Sequence, residues 1–254
     1  MQPTPRIGII SQARMSSTRL PGKILKSVGN KSLLQIHLNR LQQSGFPIYL
    51  ATTTNKSDDC IAEFCMQQQK AYSRGDEQNV LSRFYECALQ FKLEVIVRVT
   101  SDCPLIDGFL IKDAIEKYLA FNSTSLYYSN CTERTFPRGF DFEIFSFDML
   151  KEAYEKATSD AQKEHVTPYF YQNHQNKFTL KHYKSTLDYS HLRITVDTPE
   201  DFELIKILIE QHHAATKSAP EICELLQQHP ELVAINQHIE QKKYNAKIVF
   251  QSRW

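Results

Sequence analysis

The alternation of short apolar runs with longer stretches of helical period is the feature that most limits what this chain can become. Ile7 to Ala13, Ile48-Tyr-Leu-Ala-Thr-Thr53 and Glu94-Val-Ile-Val-Arg-Val99 are short and rich in β-branched residues, as strands buried on both faces are. Leu33, Leu34, His37, Leu38 and Leu41 recur at the i, i+3, i+4 spacing of an amphipathic helix, and Val80, Leu81, Phe84, Tyr85 and Ala88 do the same after Arg74-Gly-Asp76. Another helix is predicted to open at Ser57-Asp-Asp59, a cap followed by acids in the first turn, with Ile61, Phe64 and Cys65 facing inward. Strand and helix alternating at this rhythm predict βαβ units and a doubly wound, mainly parallel α/β sheet.

The second half is less regular. Strands are predicted over Leu126–Ser129, 140–145, 178–183 and 193–196, and helices around 147–157 and 163–174. A further helix is predicted from Thr198-Pro-Glu-Asp201, with Thr198 as N-cap and Pro199 in the first position, and a polar tail rich in Gln and His follows. No repeat, low-complexity linker or composition break divides the chain, so 1–254 reads as a single domain with a small added β-layer at 125–185. A chain of 254 residues with 41% hydrophobic and 23% charged residues buries a core without a disulfide or metal staple. With 30 basic and 29 acidic residues its net charge is +1, which argues against nucleic acid or an anionic membrane as partner. No apolar run reaches the ~18 residues of a membrane span, and Ile7-Gly-Ile-Ile10 is too brief for a signal-peptide core. The six cysteines are scattered without a CxxC pair, which predicts reduced thiols in the cytoplasm rather than a zinc site.

Ligands of parallel α/β sheets bind beyond the carboxyl ends of the strands, so the segments just after each strand carry the chemistry. Gln12-Ala-Arg-Met-Ser-Ser-Thr-Arg-Leu-Pro-Gly-Lys23 sets Arg14, Arg19 and Lys23 among small hydroxyl residues and a glycine. That composition suits either a polyphosphate cradle or a solvated basic loop. In Thr100-Ser-Asp-Cys-Pro-Leu-Ile-Asp107, Asp102 is placed either to ligate Mg²⁺ or to form a turn, whereas Asp107 reads as a helix N-cap. Asp197 stands before the cap of the helix at Thr198 and is free to face a ligand, while Glu200 and Asp201 are accounted for by the helix dipole. Two aspartates from separate strands facing a basic loop are the parts of a metal-assisted nucleotidyl-transfer site. In Arg134-Thr-Phe-Pro-Arg-Gly-Phe-Asp-Phe-Glu143, the alternation of Phe140 and Phe142 with Asp141 and Glu143 predicts one apolar and one polar strand face. Arg138 there either grips a substrate carboxylate or pairs with Asp141 and Glu143.

At these same positions the chain resembles the sugar-activating cytidylyltransferases, which include the 3-deoxy-manno-octulosonate and acylneuraminate enzymes. The segment from Gln12 to Lys23 is similar to their ARxxSxRLPGK signature. Arg74-Gly-Asp76 with Asn79-Val-Leu-Ser-Arg83, Ser101–Asp107, Thr135-Phe-Pro-Arg-Gly139, Glu164-His-Val-Thr-Pro168 and Val196–Asp201 have counterparts in the same order in the spore coat polysaccharide biosynthesis protein F type. The resemblance implies a nucleotide-diphospho-sugar transferase fold of glycosyltransferase-A type. It also implies transfer of CMP from CTP to an acidic sugar, with release of pyrophosphate, for surface polysaccharide synthesis. It further implies Mg²⁺ on Asp102 and Asp197; CTP phosphates on Arg14 and Lys23 with Ser17 and Arg19 lining the loop; and cytosine and ribose near Ala13 and Arg74. The acceptor is expected at Arg138, Glu143 and His165, and 125–185 is expected to supply the acceptor-binding and dimerisation layer of a cytoplasmic homodimer. Ser101, where relatives often carry glycine, and the acceptor region depart from the octulosonate pattern. The rival readings are a sugar-nucleotide-binding glycosyltransferase, a phosphoesterase on the same sheet, and an inactive nucleotide-binding subunit.

Overall fold

The computed structural model describes residues 5–241. In chain order its elements are β1 (Ile7–Gln12), a 3-10 turn (Lys23–Leu25), β2 (Ser27–Val28), β3 (Lys31–Ser32), α1 (Leu33–Gln42), β4 (Ile48–Thr53), α2 (Asp59–Gln67), β5 (Ala71–Gly75), α3 (Val80–Gln90), β6 (Val95–Thr100) and α4 (Gly108–Ala120). There follow β7 (Leu126–Ser129), β8 (Glu143–Ser146), α5 (Phe147–Lys156), α6 (Asp160–His165), α7 (Pro168–Gln172), β9 (Thr179–His182), α8 (Pro199–Glu210), α9 (Ala219–Gln228) and α10 (Pro230–Ala234). No helix among the described residues is long and apolar enough to cross a membrane.

Seven strands form one sheet in the order β5-β4-β1-β6-β8-β7-β9. The four at one side are mutually parallel, as the helical crossovers between them require. Strand β8 runs antiparallel to both neighbours, and β9 lies parallel to β7 at the far edge. The strands contributed by 125–185 thus continue the main sheet. Helices cover both faces, which is why β1 and β6 are apolar on both sides. Ile9, Val97 and Val99 pack with α1, α4 and α8, whereas Ile10 and Ile96 pack with α3, α5 and α7. Ala13, Leu34, Leu38, Leu50 and Ile61 close a third cluster beneath the loop that follows β1.

The structure departs from the sequence reading where local pattern and tertiary contact disagree. Strand β5 was not foreseen: Ala-Tyr-Ser-Arg-Gly75 is short and sits at the sheet edge, half open to solvent. The helix expected over 163–174 is two helices, α6 and α7. Between them Val166 takes φ 70°, ψ −58°, and the Thr167 N–H donates to the His165 carbonyl at 2.8 Å, a γ-turn of the strained kind. The strand expected over 140–145 pairs only from Glu143, and Glu143, expected on a polar face, is 4% exposed. The strand expected over 193–196 is a single parallel bridge between Arg138 and Arg193. The helix expected to open at Ser57 begins at Asp59 after a 3-10 turn (Lys56–Asp58), with Asp58 in the N-cap position but making no side-chain cap bond. The polar tail beyond α10 lies partly outside the described residues.

Gly139 makes the crossing of the 138 and 194 segments possible. Its φ is +117°, and a Cβ there would meet the Ile194 backbone carbon at 2.7 Å. Gly139→Ala is therefore expected to destabilise the protein by at least ~2 kcal/mol through strain and forced separation. Urea unfolding measures it, and a loss below about 0.5 kcal/mol, the level of an ordinary surface change, contradicts the account.

Candidate active site

The loop after β1 is folded before it meets any partner. The Met15 carbonyl accepts from the Ser17 and Gly22 N–H groups at 2.9 and 3.0 Å. Asp58, fully buried, accepts from the Met15 N–H at 2.8 Å and from the Thr53 hydroxyl at 2.5 Å, pinning the loop to the end of β4. Gly22, at φ 66°, turns the chain into the 3-10 turn and delivers Lys23 to the sheet end.

There the Lys23 ammonium donates to Asp102 Oδ2 and to Asp197 Oδ1, both at 2.8 Å. Arg19 Nη2 lies 3.0 Å from Asp197 Oδ2, and Arg193 Nη2 reaches the same oxygen at 2.9 Å. The two aspartates, 95 positions apart in the sequence, meet because the Val196 N–H donates to the Asp102 carbonyl at 2.8 Å, with the Thr195 hydroxyl on the same carbonyl at 3.2 Å. Behind Asp197, Asp201 accepts from Arg193, Asn236 and the backbone N–H groups of Asp197 and Thr198. Asp201 is thus more than the dipole acid it was read as; it is 0% exposed and anchors the arginine that holds Asp197.

The Asp102 turn is held from below by α1. His37 Nδ1 donates to the Cys103 carbonyl at 2.8 Å and its Nε2 accepts from the Ser11 hydroxyl at 2.8 Å, which in turn meets Ser101 at 2.7 Å. Arg40 Nε donates to the Ile106 carbonyl at 2.7 Å. Asp107 caps α4 as expected, accepting from the Phe109 and Leu110 N–H groups.

Electrostatics follow from this packing. Burial alone would raise the Asp102 carboxyl, but the Lys23 ammonium beside it, with hydrogen bonds from Lys23 and Thr100, holds it down at about 2. Burial opposes the charge on Lys23, yet the two carboxylates outweigh it and the ammonium is held above its ordinary value. Burial, barely offset by the Cys103 carbonyl, drops His37 to about 4 from 6.5.

The remaining predicted residues fall into three places. Arg14 is exposed and lies 3.6 Å from Glu77, a residue of the loop after β5 that the sequence reading passed over. Glu77 also accepts from the Ser16 hydroxyl and, at 2.5 Å, from Asn55 Nδ2. Ser17 is half-buried in the same loop, and the Ala13 N–H is taken by the Ala51 carbonyl at 3.1 Å. Arg74, expected beside the nucleoside, spends its guanidinium on the Thr53 and Asn55 carbonyls and on Asp59, so it shapes the loop after β4. Arg138 makes no side-chain hydrogen bond or ion pair among the described residues, so the pairing with Asp141 and Glu143 weighed from sequence is not formed. Asp141 pairs with Arg134 instead, and Glu143 with Arg98. Burial, with Arg134 and Arg193 adding to it and Asp141 opposing, depresses the Arg138 guanidinium.

Glu143, expected to touch an acceptor, has its oxygens taken by Arg98, by the Tyr127 hydroxyl at 2.6 Å and by the Thr167 hydroxyl at 2.5 Å. It presents no free carboxylate and instead holds Arg98, whose Nη2 reaches Gln12 Oε1 at 3.2 Å. His165 lies beside this group at the γ-turn and is depressed by burial, with Glu164 opposing and Arg98 adding to the effect.

Two hard carboxylates gathered on one cationic atom fit Mg²⁺, which takes one or two protein carboxylates and leaves its other positions to water and phosphate. Asp102 and Asp197 would hold it. No group of three or more His, Cys, Asp or Glu side chains disposed to hold a metal ion occurs among the described residues, so an all-protein cage is not built here.

A mainly parallel sheet with a cationic loop at its carboxyl end and two aspartates converging from separate strand ends defines a nucleotidyltransferase of the nucleotide-diphospho-sugar transferase fold. Residues 7–233 match the family model described as cytidylyltransferase. The spore coat polysaccharide biosynthesis protein SpsF of Bacillus subtilis is 33% identical over 232 residues, covering 87% of this chain and 94% of that protein. An uncharacterized protein of Methanocaldococcus jannaschii is 36% identical, covering 94% and 97% of the two chains. The solved structure of a cytidylyltransferase from Leptospira borgpetersenii superposes with a TM-score of 0.85 at 31% identity, covering 94% of this chain and all of that one. The chain belongs to the cytidylyltransferase family and is a CTP-dependent nucleotidyltransferase.

Protonation of His37 gives the site a pH signature. Its folded value, about 4, lies below the unfolded 6.5, so the unfolded chain binds the extra proton first. The stabilisation from neutral His37 is complete above pH 6.5 and is lost as pH falls toward 4, by about 2 kcal/mol at pH 5. Asp102 acts lower, below its unfolded value of 3.8. Urea unfolding from pH 7 to 5 is expected to show this fall, and His37→Gln to flatten it; an equal slope in the variant contradicts the assignment.

Proposed function

We propose that the protein transfers CMP from CTP to an acidic sugar or related acid, releasing pyrophosphate, as a step toward a surface polysaccharide. The observation that carries this reading is the meeting of Asp102 and Asp197 on the Lys23 ammonium, beside a loop bearing Arg14 and Arg19. The acceptor oxygen forms a bond to the α-phosphorus of CTP, the bond from that phosphorus to the α,β-bridging oxygen breaks, and the acceptor's proton passes to solvent. When bound, Mg²⁺ supplies positive charge against the phosphate oxygens and the leaving pyrophosphate.

The chain's own groups do the rest. Arg14 is held by Glu77 through an exposed pair that costs little to give up, so its guanidinium is available to a triphosphate. Lys23, Arg19 and the loop N–H groups set positive charge where negative charge grows in the transition state. Arg138, half-buried and without a direct ion pair among the described residues, has its depression by burial only partly offset by Asp141, and so gains from an acceptor carboxylate, which its fork grips in two places. His165, depressed by burial, serves as a neutral hydrogen-bonding group, and Glu143 positions Arg98 and Thr167 around it. A sugar-nucleotide-consuming transferase is disfavoured because Asp58 of the adjacent Asp58-Asp59 pair is buried and spent on Met15 and Thr53.

A pyrophosphate-release screen of the four nucleotides against 2-keto sugar acids and other acidic acceptors tests the reading. Release with CTP and one acid class is expected, and release with neutral sugars alone contradicts the acid assignment. Asp102→Asn and Asp197→Asn are each expected to fold yet lose ~10²–10³ in turnover, the cost of one pre-placed electrostatic group. Arg138→Ala is expected to raise the acceptor KM with kcat less affected, and an unchanged KM removes Arg138 from the acceptor site.

A further inference from the structure

Lys23 stands where a divalent cation would stand. Its residue is only 8% exposed, and its ammonium lies 2.8 Å from one oxygen of each aspartate, using the pair of oxygens that face each other. The second oxygen of Asp197 is taken by Arg19 and Arg193. Lys23, Arg19 and Arg193 thus answer both oxygens of Asp197 and one of Asp102, whose other oxygen meets the Cys103 thiol at 3.7 Å. An ammonium and a divalent ion cannot share those oxygens, because the donor positions coincide and the charges repel. One must leave for the other to enter.

The ammonium has somewhere to go only when an anion is present. Lysine carries its charge on a flexible four-carbon stem, unlike the rigid fork of arginine. Its backbone sits at the end of the loop that carries Arg14, Arg19 and the hydroxyls of Ser17 and Thr18. A bare divalent ion would have to strand a buried ammonium beside itself, which is costly. A triphosphate removes that cost by accepting the ammonium as the ion takes the carboxylates.

We propose that Lys23 keeps the divalent-cation seat closed in the free protein and yields it only when a nucleoside triphosphate enters with the cation. This rests on the reading of Asp102 and Asp197 as the metal-holding pair. Binding of cation and nucleotide is then coupled, and by linkage each strengthens the other by the same factor. Lys23 is the residue that sets that factor, since it is the cation common to both carboxylates.

The test uses the full-length protein with Mn²⁺ as probe and no acceptor. Free Mn²⁺ is read by its electron paramagnetic resonance signal, and protein melting temperature is followed in parallel by circular dichroism. Lys23→Gln is expected to bind Mn²⁺ alone about 10- to 100-fold more tightly than wild type, within the range of ordinary site–site coupling. Its melting temperature should rise with Mn²⁺, while that of wild type stays put until CTP is added. Lys23→Arg, which keeps a cation at the position, should stay as weak as wild type, and Asp102→Asn in the Lys23→Gln background should abolish the gain. Lys23→Met serves as a second neutral variant where Lys23→Gln folds poorly. Wild type binding Mn²⁺ alone as tightly as the neutral variants overturns the proposal while leaving the metal site standing. Absence of Mn²⁺ uptake in every variant, CTP included, overturns the proposal and the metal site together. Silence in the acceptor screen bears on neither result, since no arm here contains an acceptor.

Discussion

The ammonium of Lys23 between Asp102 and Asp197 is the contact on which the rest of the architecture depends. Two carboxylates this close repel unless a cation sits between them. Three separate stretches of chain have to agree on one point for this to work. The β1 loop must turn at Gly22, the β6 turn must be braced by His37 and Arg40, and the 193–197 segment must cross Gly139 and bond to Asp102. His37, Arg40, Gly139 and residues 193–196 are buried, so the site's geometry is set largely by the same core that stabilises the fold.

The structure also separates residues that hold the site from residues left to act on a ligand. Asp58, Asp201, Arg193, Glu143 and Arg74 have their polar atoms consumed by neighbours. Arg14 and Arg138 do not: one is in a weak exposed pair, and the other lacks a side-chain partner among the described residues. A half-buried cation with no direct ion pair is costly to keep charged, and an anionic ligand relieves that cost. The γ-turn at Val166, a β-branched residue at φ 70°, adjoins His165, and strain of that kind persists only where surrounding contacts enforce it.

Much of this was legible in the sequence, and the losses have physical causes. The parallel half of the sheet could be read because buried strands and amphipathic helices have distinct periods, and Lys23, Asp102 and Asp197 could be picked out because each ends a strand or its loop. Strand β5 could not, because an edge strand half open to water lacks a continuous apolar run. The break at Val166 could not, because a valine at positive φ runs against its own preference and only tertiary contact places it there. Asp58 was hidden for another reason: an acid near a helix start already has a sufficient local account. Glu143 was placed on a polar face because alternation reports which side a residue points to, and not whether that side is covered.

A mutant cycle on Lys23, Asp102 and Asp197, read by urea unfolding at pH 7, tests the central claim most directly. The account predicts that Lys23→Met costs more alone than in the background of Asp102→Asn with Asp197→Asn, since the lone substitution leaves two facing carboxylates unanswered. The coupling between Lys23 and each aspartate should exceed ~1 kcal/mol. Additive losses within about 0.5 kcal/mol across the cycle would mean the three side chains do not meet as described.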